Sequence, residues 1–164
     1  MTIILTTHDM DDIEEESNII IAGHGRVGGL VNRMLQGAGY KPTVIDFSAA
    51  QLELLKKFGF KAYYGDASRP DMLHAAGVAN AKLFVIAIDE KEQITAMAHY
   101  MHQHHPEVHV VARAIDRNHV YDLWHAGCRD IIRETYDSSM RMGRSAIEAM
   151  GYTRDQSERM VEAF

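Results

Sequence analysis

A glycine loop set between a strand and a helix constrains this chain more than any other feature. Gly23-His24-Gly25-Arg26-Val27-Gly28 follows the apolar segment 18–22 and opens a stretch that carries Leu30, Val31, Met34 and Leu35 at helical spacing. G-x-G-x-x-G is a weak pattern alone; between a strand and a helix each glycine has a task. Gly23 makes the tight turn, Gly25 lets a phosphate approach the backbone, and Gly28 lets the helix pack closely on the strand. The helix then presents unpaired N–H groups and the positive end of its dipole to that phosphate.

Asp46 ends the next apolar segment, at about the spacing expected for an acid that binds ribose hydroxyls. A carboxylate there repels a 2′-phosphate, which favours AMP, ATP or NAD(H) over NADP. Residues 18–46 therefore read as the half-site of an adenine nucleotide. Tyr64-Gly65-Asp66-Ala67 closes a third strand, placing Asp66 and Ala67 at the carboxyl edge of the sheet. Two roles are open for Asp66: contact near the adenine, or a cap for the helix begun by Pro70. Ala87, at the end of a fourth strand, completes the nucleotide candidates: Gly23, His24, Gly25, Arg26, Val27, Gly28, Asp46, Asp66, Ala67 and Ala87.

The surrounding pattern fits that half-site. Short β-branched runs at Ile19–Ala22, Thr43–Ile45, Ala62–Tyr64, Leu83–Ile88, Val108–Ala112 and Ile131–Ile132 alternate with helix-patterned segments. Continuous apolar strands between helices indicate a parallel sheet covered on both faces, a Rossmann-like α/β fold of six strands. Ser48-Ala49-Ala50-Gln51 reads as a capping box; Gly37 and Gly39 end the first helix, and Gly77 the third.

At 164 residues the chain suits one domain with a real core, and its net charge of −6 argues against nucleic acid as a partner. The single Cys128 has no intramolecular disulfide partner and reads as a small buried residue. No run of about 18 apolar residues exists to span a bilayer. Residues 1–17, with the acidic run at 9–17, read as a linker or tail, 18–150 as the regulatory domain, and 151–164 as the start of a further helix. His99, His102, His104, His105 and His109 crowd one stretch without a completed ligand set, so no metal is expected.

Taken together, the glycine loop, Asp46, residues 64–68, the strand ending Ala87-Ile88-Asp89 and Ala112-Arg113-Ala114 resemble the KTN domain, also called RCK or TrkA-N. This is the cytoplasmic regulatory domain of bacterial potassium channels and transporters. Lys57-Phe58-Gly59, the His24-Gly25-Arg26 of the loop, Arg133-Glu134-Thr135 and the Gly143-Arg144 helix resemble the Kef subgroup of glutathione-gated potassium efflux systems. The resemblance implies a homodimer at the cytoplasmic face of the bacterial inner membrane, joined to a membrane transport domain of the same protein. It implies AMP or NAD(H) as nucleotide, and glutathione or a glutathione S-conjugate as regulatory ligand in a site between subunits. Arg26 and Arg133 match positions that hold glutathione carboxylates, and Phe58 matches an aromatic that reports the sulfur substituent.

The residues leave other roles open. Arg26 also faces the phosphate, Phe58 also suits core packing beside Leu54 and Leu55, and Arg133 also suits an ion pair with Glu134 or Asp137. One departure stands out: close relatives read arginine where this chain has Ile115. If that arginine contributes to ligand binding, this chain binds more weakly or uses another group. In residues 138–150, Met140, Ala146, Ile147 and Met150 suit a dimer contact. Two alternatives remain: a nucleotide-only gating domain of a Trk-type uptake system or channel, and a small NAD-dependent oxidoreductase. The oxidoreductase lacks a clear acid–base pair; His119 and Asp116 come nearest, and their spacing reads as an ordinary surface pair. The chain is therefore expected to sense ligands rather than catalyse.

Overall fold

The computed structural model describes residues 18–164; the acidic run 9–17 lies outside them. The described chain divides into two compact units, one ending at Ile132 and one spanning Arg133–Phe164. The first alternates β1 (Ile19–Ala22), α1 (Arg26–Gly37), β2 (Thr43–Asp46), α2 (Ala49–Lys57), β3 (Ala62–Tyr64), α3 (Pro70–Ala75), β4 (Leu83–Ile86), α4 (Lys91–His104), β5 (His109–Ala114), α5 (Arg117–His125) and β6 (Asp130–Arg133), whose last residue opens the second unit. The sheet is parallel with strand order β3-β2-β1-β4-β5-β6.

That order reverses between β1 and β4, which pair directly, Ile20 against Phe84 and Ala22 against Ile86. A doubly wound sheet opens a crevice at such a switch point, beyond the carboxyl ends of its strands. β1 is buried along its whole length because its side chains alternate between two cores. Ile20 and Ala22 join Phe84, Ile94, Met97, Met101 and Leu123 on one face. Ile19 and Ile21 meet Val85 and the Val27, Val31 and Leu35 of α1 on the other. Each large aliphatic buried this way contributes about 1.5–3 kcal/mol, so the strand under the glycine loop is held from both sides.

Several boundaries differ from the sequence expectation. β4 stops at Ile86 instead of Ile88, because the carbonyls of Ala87 and Ile88 turn to the guanidinium of Arg113, at 3.5 and 3.1 Å. β5 continues to Ala114. Ser48 does cap α2, accepting from the Gln51 N–H at 3.4 Å, but the capping box is only half formed. The Gln51 amide oxygen goes instead to the imidazole of His24. Asp66 does not cap α3. Arg69 holds that position without a side-chain bond, and Asp66 accepts from the Ser68 N–H at 2.8 Å and from its hydroxyl, closing a local turn.

The second unit is a helical pair, α6 (Tyr136–Ala149) and α7 (Arg154–Ala163). Arg144 of α6 reaches Glu158 of α7 at 3.4 Å, and Ser157 is fully buried, its hydroxyl donating to the Thr153 carbonyl. Thr153 and Gln156 form a complete capping box at the start of α7. α6 buries none of its side chains within its own unit, and Met142 and Met150 are among the most exposed apolar residues of the chain. No helix among the described residues is long and apolar enough to cross a membrane.

Candidate functional site

The carboxyl ends of β1, β2, β3 and β4 surround a cavity of about 510 Å³. Nine of the ten nucleotide candidates line it: Gly23, His24, Gly25, Arg26, Val27, Asp46, Asp66, Ala67 and Ala87. Gly28 lies behind the wall. A Cβ there would collide with the Gly23 carbonyl, so its lack of a side chain is what lets α1 begin where it does. Gly23 itself has φ +97°, and a Cβ there would lie 2.9 Å from the Ala87 oxygen. Gly25 has no atom within 4 Å of a built Cβ, and the space it leaves opens to the cavity.

Asp46 ties the loop to the second strand. One carboxylate oxygen accepts from the His24 backbone N–H, the other from the Ser48 N–H at 2.8 Å. Each oxygen retains a lone pair, so the half-buried carboxylate is oriented and still able to accept from sugar hydroxyls. Phe47 stands beside it on the cavity wall, edge to face with Tyr64 at 6.5 Å. α1 opens at Arg26 with no acidic residue in its first turn, leaving its positive end uncompensated.

The far wall escaped the sequence reading. Arg113 lines the cavity with its side chain only 10% exposed, and donates to Asp89 at 2.6 Å. Asp89, Glu90 and Gln93 complete that side. The available signal was an arginine inside an otherwise apolar strand, which has to find acceptors at the strand's end.

A second, more open cavity of about 850 Å³ lies between α1 and α2. It is mostly apolar, lined by Leu30, Leu54, Leu55, Phe58 and Phe60, and it shares His24, Gly25, Arg26 and Gln51 with the first. Arg26 and Phe58 are thus brought to one groove. Phe58, at the C-terminal cap of α2, is 69% exposed, so the core-packing role fails; Leu52 and Leu55 fill that core instead. Arg133 lies in the second unit, exposed, its guanidinium 5.0 Å over the Tyr136 ring.

His119 and Asp116 are not a surface pair. His119 is fully buried: its Nδ1 accepts from the Ile115 N–H at 3.0 Å, and its Nε2 meets the Thr95 hydroxyl at 2.9 Å. Asp116 caps α5 through the His119 N–H and pairs with Lys91 at 2.6 Å. The imidazole joins α4 to α5, with no open face for a substrate.

Comparison with known proteins agrees with this geometry. The TrkA-N domain model matches residues 19–134. The glutathione-regulated potassium-efflux system protein KefC of Cronobacter sakazakii is 38% identical over 157 residues, which is 95% of this chain and 25% of that protein. The chain thus spans about a quarter of the length of the curated relatives it matches. Among solved structures, the Kef C-terminal domain of Shewanella denitrificans in its AMP-bound form shares 39% identity and a TM-score of 0.80, covering 89% of each chain. The TrkA-N domain of the inner membrane protein ybaL from Escherichia coli, at 21% identity and a TM-score of 0.73, covers 77% of this chain and 93% of its own, and shares the fold. The chain belongs to the TrkA-N domain family and, within it, is homologous to the C-terminal domain of the Kef potassium-efflux proteins.

Proposed function

We propose that this chain is the ligand-sensing regulatory domain of a potassium–proton antiporter, holding an adenine nucleotide in the cavity and glutathione or a glutathione S-conjugate in the adjoining groove to gate potassium efflux. The observation that carries the reading is the single cavity that gathers the phosphate loop, Asp46, Asp66 and Phe47. The phosphate lies at Gly25 and the N-terminus of α1, the ribose hydroxyls at Asp46, and the purine against Phe47. AMP or NAD(H) is the nucleotide, and the AMP-bound Shewanella domain at 39% identity supports AMP.

Support for the second ligand comes from the relatives' description as glutathione-regulated and from the pairing of Arg26 with Phe58 in one apolar groove. Arginine binds a carboxylate through two parallel hydrogen bonds, a geometry lysine lacks. An exposed ring that packs beside a small thiol and is displaced by a bulky adduct gives two states with different contacts, which a gating ligand requires. Arg133 is the further candidate for a glutathione carboxylate, in the site between subunits that the family resemblance implies. The domain works as a homodimer through α6, with the exposed Met142 on the helix and Met150 at its C-terminal cap, attached to a membrane transport domain that its relatives' greater length accommodates. It acts at the cytoplasmic face of the inner membrane without catalysing a reaction.

Isothermal titration with AMP, and separately with a bulky glutathione S-conjugate, tests the reading. Saturable binding of both is expected, with conjugate binding lost in Arg133→Ala and Phe58→Ala while AMP binding persists. AMP binding without any conjugate binding would make the chain a nucleotide-only gating domain.

A further inference from the structure

The two cavities share His24, Gly25, Arg26 and Gln51 as lining, and a closed ring of hydrogen bonds runs through two of these, His24 and Gln51. Asp46 accepts from the His24 N–H and from the Ser48 N–H; the Ser48 hydroxyl accepts from the Gln51 N–H; the Gln51 side chain closes on the His24 imidazole at 3.0 Å. The Gln51 amide oxygen only accepts, so His24 Nδ1 carries the proton and donates. Nε2 then accepts from the Asn32 amide at 3.2 Å. One imidazole thus joins the phosphate loop, α1 and α2, and both cavities reach it.

α2 connects this ring to the groove. Its nine residues span about 14 Å at 1.5 Å per residue. Leu52 and Leu55 fix it on Val44 and Ala62 of the sheet. Ser48 and Gln51 stand at its start and Phe58 at its end. A rigid helix carries a displacement at Phe58 to Gln51 and Ser48, and through them to His24 and Asp46. Asn32 adds a bias: it is 1% exposed, and its carbonyl oxygen is buried with no hydrogen-bond partner. A shift that brings it a donor gains a bond the present arrangement lacks.

We infer that the ring centred on His24 couples the two cavities, so that occupancy of the groove changes nucleotide affinity and the nucleotide changes groove affinity by the same factor. His24 and Gln51 act here as positioning residues. The inference rests on the proposed glutathione reading for the identity of the groove ligand.

The test titrates AMP with and without saturating glutathione–N-ethylmaleimide adduct, and then the adduct with and without AMP. Each Kd is expected to change by about five-fold or more, the two factors being equal by linkage. In Gln51→Leu both ligands still bind and the factor falls to one. In Gln51→Glu, which keeps an acceptor for His24 Nδ1, the factor returns. The ratio is internal to each variant, so a general loss of stability leaves it unmoved. Adduct binding with a factor of one in the wild-type chain, or an unchanged factor in Gln51→Leu, overturns the coupling alone. No adduct binding at all overturns the coupling and the glutathione reading together.

Discussion

The backbone of Gly28 passes so close to the Gly23 carbonyl that a single methyl group has no room between them. Gly25, between them in sequence, has open space on the side where a methyl would project. These two glycines separate folding from binding. Gly28→Ala forces the loop away from α1, an overpacking cost of about 1–3 kcal/mol that lowers Tm by roughly 2–12 °C for a domain of this size. Gly25→Ala, whose new methyl meets no atom within 4 Å, is expected to lower Tm less than Gly28→Ala does and to lose at least about ten-fold in AMP affinity. Thermal unfolding and titration of both variants check the pair. A Gly28→Ala protein with an unchanged Tm would remove the packing role.

Charge distribution sets the next expectation. The nucleotide cavity presents Asp46, Asp66, Asp89 and Glu90 against Arg26 and Arg113, and Arg113 is already paired with Asp89 at 2.6 Å. Arg26 and the N-terminus of α1 can balance one phosphate, which carries roughly two charges at neutral pH. A triphosphate brings extra negative charge into a cavity whose lining carries more carboxylates than guanidiniums. AMP is therefore expected to bind at least about ten-fold more tightly than ATP at low salt, the gap closing as salt screens it. Glu90→Gln narrows the gap as well. Equal affinities for AMP and ATP would show that the acidic wall does not face the phosphates.

The parts legible in the sequence are those whose cause is local. The glycine loop, Asp46 and the strand–helix alternation each depend on neighbours within one βαβ unit, and residues 19–22 and 62–64 form strands with the expected bounds. The misread parts answer to distant groups. Gln51 fits a capping box, yet its amide oxygen bonds to an imidazole 27 residues away. His119 is spaced like a helix-surface partner of Asp116, but its ring turns inward to Thr95 on another helix. Arg113 ends β4 early because it competes for carbonyls 25 and 26 residues upstream. Phe58 follows two leucines in an amphipathic pattern, and only packing against the sheet decides which of them is buried.

Cys128 offers a direct check of the core beneath β5 and β6. It is 4% exposed, and its thiol points at the carbonyls of Val110 and Asp130, at 3.7 and 3.6 Å. Burial pushes its pKa up, which disfavours the thiolate that reacts. The native protein is expected to resist a thiol-specific reagent at neutral pH and to release one equivalent on unfolding. Rapid labelling of the folded chain would mean that this edge of the sheet opens.

His119 makes stability depend on pH in a definite direction. Burial holds its pKa below the ordinary value of 6.5, with Lys91 pushing the same way and Asp116, Asp122 and Glu92 opposing. Its Nδ1 accepts the Ile115 N–H, so the folded state requires the neutral ring. In the unfolded chain the imidazole takes up its proton near pH 6.5, before the folded protein does. The unfolded state then binds more protons, and stability falls as pH drops. The contribution is therefore complete above about pH 6.5 and lost progressively as pH falls from there toward the depressed folded value. His119→Gln, which does not titrate, is expected to be less stable at pH 8, because a glutamine cannot reproduce both bonds, and to lose less between pH 7 and 5 than the wild type. Denaturant midpoints of the two proteins across that range give the difference, which cancels the other histidines. Parallel curves would mean that the ring gains a proton in the folded state as readily as in the unfolded one, and that its burial between α4 and α5 is not maintained in solution.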